Sequence, residues 1–306
     1  MVRVYDLAMT HKLDADDFFI HRVQALCAEA GLNFFLVEPA WVEPFFQKFE
    51  RGEIWARALL NMHSEHHQPD EIFHRLVRLA AERRTLVIDP PDVALAAFDK
   101  ARLHPQLITA GLLVPHTVLV PAAQAAGFQL TDADRAALGS PFIIKPSLGY
   151  GRRGLVMDAT SERDLARSAL SSPNEVYLLQ RRVVPRMVNG VPAYFRVFYV
   201  FGTVWSCWWN CYTDRYRQVA AAEAAELNLS PLEEIIRRIA ALTAMNFFSS
   251  EIAQTEAGDW VVIDYVNDQC HLLTQSTSPH NGVPDEVVAA IARRLVDAVR
   301  TSIKKS

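Results

Sequence analysis

Cysteine is scarce in this chain: four residues in 306, Cys27, Cys207, Cys211 and Cys270, with no Cys-x-x-Cys pair among them. In a chain of this length such usage suits reduced, mostly buried thiols better than a disulfide framework. A basic excess is missing as well. Lys and Arg number 31 against 35 Asp and Glu, a net charge of -4, and no Lys/Arg-rich run occurs beyond the terminal Lys304-Lys305. That balance leaves no electrostatic footprint for nucleic acid, which is not expected as a partner. Long apolar runs are absent too. Asp6, His11, Asp14, Asp16 and Asp17 break up the first twenty residues, which therefore do not read as a signal peptide. No window approaches the ~18 apolar residues of a membrane span, so no membrane contact is expected and the expected location is the cytoplasm. What is present is the composition of a soluble globular protein, 50% hydrophobic, with the length for two domains or one domain with subdomains.

Glycine is also sparse, 12 residues in all, yet three stand together at 149, 151 and 154 in Pro-Phe-Ile-Ile-Lys-Pro-Ser-Leu-Gly-Tyr-Gly-Arg-Arg-Gly, residues 141–154. An apolar strand, Phe142 to Ile144, delivers Lys145, and the glycines follow in a loop that runs into a second short strand at residues 155–157. A residue without Cβ tolerates positive φ and lets backbone N–H groups turn toward anionic oxygens, so the stretch reads as a phosphate-binding loop through Gly149, Tyr150, Gly151 and Gly154. It is neither a dinucleotide fingerprint, which would open a helix near a domain's start, nor a P-loop, which would continue as Gly-Lys-Ser/Thr. The plain alternative is a hairpin turn with a surface lysine.

Upstream, strand-like and helix-like stretches alternate. Strands are expected at residues 4–9, 32–37, 56–62 and 85–88, with helices at 19–30, 42–49 and 69–83 between them. That is the rhythm of a parallel sheet, whose ligands lie beyond the carboxyl ends of the strands. His63, His66 and His67, with Glu65, follow the third strand. They suit either a substrate carboxylate or a transition metal, against the ordinary reading of a solvated polar loop.

Downstream, Phe98-Asp99-Lys100 opens a helical run that ends at Gly111, and Val114-Pro115-His116-Thr117 starts an extended stretch. Tyr177 to Val183 is an apolar strand turning polar at Gln180-Arg181. Two further strands, residues 194–201 and 203–209, surround Gly202, and the lone Arg196 between apolar neighbours is costly to bury unless it meets an anion. Arg215 and Arg217 follow in a loop within reach of a substrate. Ser230-Pro231-Leu232-Glu233 reads as a capping box that starts a helix.

The last motif is a hairpin. Residues 247–253 and 260–267 flank the turn Glu256-Ala257-Gly258-Asp259, and a turn centred between Ala257 and Gly258 sets Glu251 opposite Asp264. Carboxylates that close repel unless a cation intervenes, and Mg²⁺, which prefers oxygen ligands and phosphates, fits the role. On this reading Asp264→Asn relieves the repulsion and modestly stabilises the metal-free protein. Residues 284–303 form an amphipathic outer helix.

In their order, these features resemble the ATP-grasp superfamily, from Lys100 to Asn267. The pattern there is Asp-Lys, helix, Gly-x₂₋₃-Pro-x-Thr, then a strand lysine with a glycine loop, an interlobe strand, a strand arginine and a metal-binding hairpin. The resemblance implies an α/β (α+β) chain: a Rossmann-like N-terminal domain, residues 1–112, then a two-lobed ATP-grasp fold divided into 113–182 and 183–306. It implies ATP held by Lys100, Lys145, the glycine loop, Gln180, Arg181 and Val183, although many members carry Gln-Glu where this chain has Gln180-Arg181. Arg196 would face the transferred phosphoryl group, with Arg215 as a second candidate. Mg²⁺, or Mn²⁺ in its place, would sit on Glu251, Asp264 and Asn267. Asp264 and Asn267 are three apart where the family has two, so a bulge at Tyr265-Val266 is needed, or Asp268 takes over. The implied activity is that of glutathione synthetase-like ligases. These join a small-molecule carboxylate to an amine or thiol through an acyl phosphate, releasing ADP and phosphate, and a homodimer is the candidate assembly for this chain. A small-molecule kinase on the same fold and a non-catalytic nucleotide-binding scaffold are the alternatives.

Overall fold

The computed structural model describes residues 2–11, 17–63, 68–149, 151–170 and 172–304. The chain opens as β1 (Arg3–His11), α1 (Asp17–Glu29), β2 (Phe34–Val37), α2 (Val42–Glu50), β3 (Ile54–Met62), α3 (Ile72–Glu82) and β4 (Leu86–Ile88). The four strands pair in parallel, in the order β2-β1-β3-β4, as the alternating pattern predicts. The second strand starts two residues later than expected. Gly31 takes a positive φ of 68°, and the Leu32 N–H donates back to the Cys27 carbonyl at 2.8 Å, so Leu32 belongs to the closure of α1. On one side of the sheet α2 buries Val42, Phe45, Phe46 and Phe49, and aromatic pairs such as Phe35–Phe45 (5.1 Å) and Phe49–Trp55 (5.6 Å) fill the space.

After α4 (Pro91–Phe98) comes α5 (Lys100–Thr109), capped by Asp99, whose carboxylate accepts the Arg102 N–H at 3.1 Å. There follow β5 (Thr117–Pro121), α6 (Asp132–Leu138), β6 (Phe142–Pro146), β7 (Val156–Ala159), α7 (Glu162–Ala169) and β8 (Val176–Gln180). These strands form an antiparallel sheet of order β5-β8-β6-β7, sealed by Val120, Leu138, Phe142, Ile144, Leu165 and Leu179.

A small hairpin, β9 (Met187–Val188) and β10 (Val191–Pro192), leads to β11 (Tyr194–Val200), β12 (Thr203–Trp209), β13 (Tyr216–Gln218), α8 (Ala221–Glu226) and α9 (Ser230–Thr243). The chain ends with β14 (Phe247–Gln254), β15 (Trp260–Asn267) and α10 (Asp285–Ile303). A five-stranded sheet has the order β13-β12-β11-β14-β15. The expected capping box of α9 does not form: Leu229 takes the cap position, and the Ser230 hydroxyl donates instead to Asn228 Oδ1 at 2.7 Å.

By contact the chain divides into two compact units. One comprises Met1–Leu95, Tyr194–Ser250 and Val266–Ser306, and the other Ala96–Ala193 with Glu251–Tyr265, so β14 and β15 contribute to both. Among the described residues no helix is long and apolar enough to cross a membrane.

Candidate functional site

Lys145 lies inside β6, where it pairs with Leu178 of β8, and its ammonium donates to the Ile263 carbonyl at 3.0 Å. Lys100, the first residue of α5, is buried, and its ammonium donates to the Gly149 carbonyl at 2.8 Å. The Lys100 Nζ also stands 3.9 Å from Asp264 Oδ1. Burial lowers the Lys145 pKa from 10.5 to about 8. Asp264 and Glu251 favour the charged form, while the positive charge of Lys100 opposes it. Two cations and two carboxylates of the second unit therefore share one electrostatic site, and the surface-lysine reading of Lys145 does not hold.

The glycine loop is tied to this site through groups the motif did not reveal. Ser147 accepts the Ala101 N–H at 2.8 Å and donates to Asp99, so the cap of α5 and the end of β6 are locked together. The Leu148 N–H donates to Glu175 Oε2 at 3.2 Å. Gly149 is needed for space: a Cβ there would stand 2.5 Å from Pro146 Cγ. Its N–H donates to the Pro146 carbonyl at 3.2 Å, so this amide closes a turn. Gly151 and Gly154 have φ of 57° and 71°, the left-handed conformation glycine adopts most readily. Tyr150 lies outside the described residues.

Gln180, at the end of β8, is 1% exposed and turns inward. Its side-chain amide donates to Thr117 Oγ1 at 3.0 Å and to the Tyr265 hydroxyl at 3.1 Å, so these donors serve the protein's own network. The same hydroxyl meets His104 Nδ1 at 2.6 Å. Burial lowers the His104 pKa to about 4, with Lys145 and His116 adding to the effect, and burial raises that of Tyr265. Both groups are neutral at physiological pH, and the hydroxyl accepts from the Gln180 amide and shares one hydrogen bond with the imidazole. Arg181 is exposed, its backbone N–H donates to the His116 carbonyl at 2.9 Å, and Val183 follows half-buried.

The hairpin forms, but its turn differs from expectation. The Thr255 N–H donates to the Asp259 carbonyl and the Gly258 N–H to the Thr255 carbonyl, both at 2.9 Å, with Gly258 at a φ of 87°. Two residues of the return strand thus face Thr255, a glycine bulge that displaces the pairing beside the turn by one residue from the symmetric register. Glu251 is buried, the Asp264 side chain is 25% exposed, and both bear on the charge of Lys145. Tyr265 and Val266 are buried in succession between half-buried Asp264 and Asn267, as Val261 and Val262 are between Trp260 and Ile263, so burial along β15 does not single out a bulge at Tyr265-Val266. Among the described residues no three His, Cys, Asp or Glu side chains form a ready metal cage. Glu251 and Asp264, both in the second unit, are instead a pair of hard oxygen donors. That chemistry fits Mg²⁺, which keeps waters and takes phosphate oxygens to complete its shell.

The remaining candidates belong to the first unit. Arg196 pairs with Cys207 across β11 and β12, and its guanidinium lies 4.9 Å from the Trp209 ring centroid. Asn267 Nδ2 reaches toward the Ser249 carbonyl at 3.4 Å. Arg215 is exposed, and Arg217 is engaged bidentately by Glu223 at 2.7 and 2.8 Å, which lowers the Glu223 pKa to about 2. Asp268 is buried and, together with burial itself, raises the pKa of Asp89 to about 7. Asp89 accepts the N–H groups of Asn246 and Phe247 at 2.9 Å and so anchors the start of β14. His63 is buried at the end of β3 with Nε2 3.7 Å from Glu71 Oε1, so it is not a solvated loop residue. Glu65, His66 and His67 lie outside the described residues.

No protein-family model matches the chain, and no curated protein matches it in sequence. Solved structures do match over nearly its whole length. D-cycloserine synthetase DcsG is similar with a TM-score of 0.65 at 16% identity, over 97% of this chain and 99% of that one. A RimK domain ATP-grasp protein from Sphaerobacter thermophilus gives 0.64 at 17% identity, over 96% and 99%. The ATP-grasp ligase PsnB, complexed with precursor peptide PsnA2 and AMPPNP, gives 0.61 at 15% identity, over 99% of each chain. The chain has the ATP-grasp fold, and the resemblance seen in its ordered motifs holds at that level.

Proposed function

We propose that the protein is an ATP-dependent ligase that joins a carboxylate to an amine, or to a thiol, through an acyl phosphate. The observation that carries this reading is the meeting of Lys100 and Lys145 with Asp264 and Glu251 beside the 149–154 loop, on an ATP-grasp fold. Two lysines held together, Lys100 buried and Lys145 half-buried, are unfavourable by themselves and become favourable when an anion as dense as a triphosphate arrives. Lys100 and Lys145 bind and orient the phosphates, the loop excludes water, and Arg196 meets the charge of the transferred phosphoryl group. Glu251, Asp264 and Asn267, or Asp268 in place of Asn267, would hold Mg²⁺, which supplies charge neutralisation on the phosphate oxygens. A carboxylate oxygen of the substrate attacks the γ-phosphorus and ADP leaves. The amine then attacks the acyl carbon, loses a proton, and phosphate leaves.

Residues 1–112 would shape acceptor choice. Among the structural neighbours, PsnB is complexed with a precursor peptide and DcsG is a D-cycloserine synthetase, so a peptide carboxylate and a free small acid are the two candidate acids. The test is ADP release with Mg²⁺ against pooled amino acids, small acids and short acidic peptides. Release that needs both an acid and an amine supports the ligase; release that needs one alcohol points to the kinase; nucleotide binding with no turnover under any mixture points to the scaffold.

A further inference from the structure

Lys145 is surrounded by one short piece of β15. The Ile263 carbonyl accepts from its ammonium at 3.0 Å, Asp264 balances the pair of lysines, and the Tyr265 ring centroid lies 5.2 Å from Lys145 Nζ. Three consecutive residues thus offer a carbonyl, a carboxylate and a π face to the site's two cations. Tyr265 is fully buried, and its hydroxyl is held from two other elements, by His104 of α5 at 2.6 Å and Gln180 of β8 at 3.1 Å. Thr117 of β5 braces the same Gln180 amide at 3.0 Å, and its own hydroxyl donates to the Pro115 carbonyl at 2.9 Å. If the position only filled space, an apolar ring would serve without a buried hydroxyl that has to be satisfied. The hydroxyl instead fixes the ring, and the ring faces the lysine.

We propose that Tyr265 is a positioning residue for Lys145: His104, Gln180 and Thr117 hold its ring so that the ammonium has one direction left for a phosphate oxygen. Its role in turnover rests on the ligase reading, whereas the placement of Lys145 does not. Losing the ring frees the lysine to adopt rotamers that miss the phosphate, which weakens capture of ATP more than it slows chemistry once ATP is bound.

The experiment uses the full chain with ¹³C-labelled lysine, the Lys145 ε-methylene resonance being assigned as the one lost in Lys145→Arg. In the nucleotide-free wild type this resonance is expected upfield, shifted by the ring current of Tyr265. It should return to the ordinary lysine position in Tyr265→Leu and move partway in Tyr265→Phe, which keeps the core volume and removes only the hydroxyl anchor. In ADP-release assays KM for ATP should rise roughly tenfold in Tyr265→Leu and about threefold in Tyr265→Phe, with kcat within about twofold. An ordinary Lys145 shift in the wild type, or one unchanged in a folded Tyr265→Leu, overturns the proposal, as does a loss confined to kcat. A ring-shifted Lys145 in a wild type that binds no ATP supports the positioning and sinks the ligase reading instead.

Discussion

In the parallel sheet the two central strands, β1 and β3, are dry along most of their length. Leu7, Ala8 and Met9 of β1 and Ala58, Leu59 and Leu60 of β3 are sealed from solvent, and buried polar side chains stand at the carboxyl ends of these two strands, at Thr10, His11 and Asn61. In the second unit, where Gln180 of the antiparallel sheet meets α5 and β15, the same depth is shared with Lys100, His104 and the Tyr265 hydroxyl. Both regions bury comparable side chains, but the first does so where apolar contact is its own reward. The second region keeps two ammonium groups together where hydrophobic residues of similar volume are often as stable or more so. Polar burial that folding does not require marks the place where a ligand is expected to complete the interactions.

This contrast can be broken in several ways. The largest effect falls on the dry side: Phe49→Ala removes a sealed ring from the stack with Trp55 and should cost about 3–5 kcal/mol of stability in denaturant titrations. Its ATP affinity below the melting temperature should be unchanged; a matching loss of affinity would show that the two regions are not separable. Lys145→Ala is the mirror experiment. It should leave the circular dichroism spectrum intact and weaken ATP binding by calorimetry by about 2–3 kcal/mol, the range for hydrogen bonds to a charged group.

Asp264→Asn sharpens the comparison by its sign. Lys100 at 3.9 Å and the charge of Lys145 balance this carboxylate, so its removal is expected to cost balance rather than relieve repulsion. The variant should lose turnover by at least about tenfold and need more Mg²⁺, while its stability drops by roughly 1 kcal/mol because the lysines are left less balanced. A higher melting temperature without metal would restore the repulsion argument.

The smallest effect is the pH dependence. With the Lys145 pKa at about 8, an anionic ligand selects the protonated form. ATP affinity should stay level below about pH 7 and weaken by at most tenfold per pH unit above 8, and Lys145→Arg should flatten the profile. The same shift penalises the folded state below pH 8, and that penalty fades toward pH 10.5, where the unfolded chain releases its proton. An affinity that rises with pH would contradict the first statement, and a stability that falls between pH 8 and 10.5 the second.

Much of this arrangement was legible in the residue order. The strand that carries Lys145, the glycines after it and the acidic hairpin are local patterns, and local patterns follow from backbone sterics and side-chain period. The errors arose where one residue decides a geometry. Gly258 at positive φ turns a symmetric hairpin into a bulged one, and Leu229 takes the cap that Ser230 was expected to hold. Arg217 looked available for a substrate only because its partner Glu223 lies in the next element, α8.

By itself, then, the sequence determined the succession of strands and helices, the lack of a nucleic-acid footprint and the ordered motifs of an ATP-grasp chain, because each depends on neighbours within a few positions. Tertiary structure alone decided which polar groups meet. Tyr265 finds His104 at a separation of 161 residues and Gln180 at 85, and Lys145 finds the Ile263 carbonyl at 118. Any of these polar groups could be satisfied by many others in the chain. Which partner it has is settled only when the strands are packed and each buried donor must find an acceptor within reach.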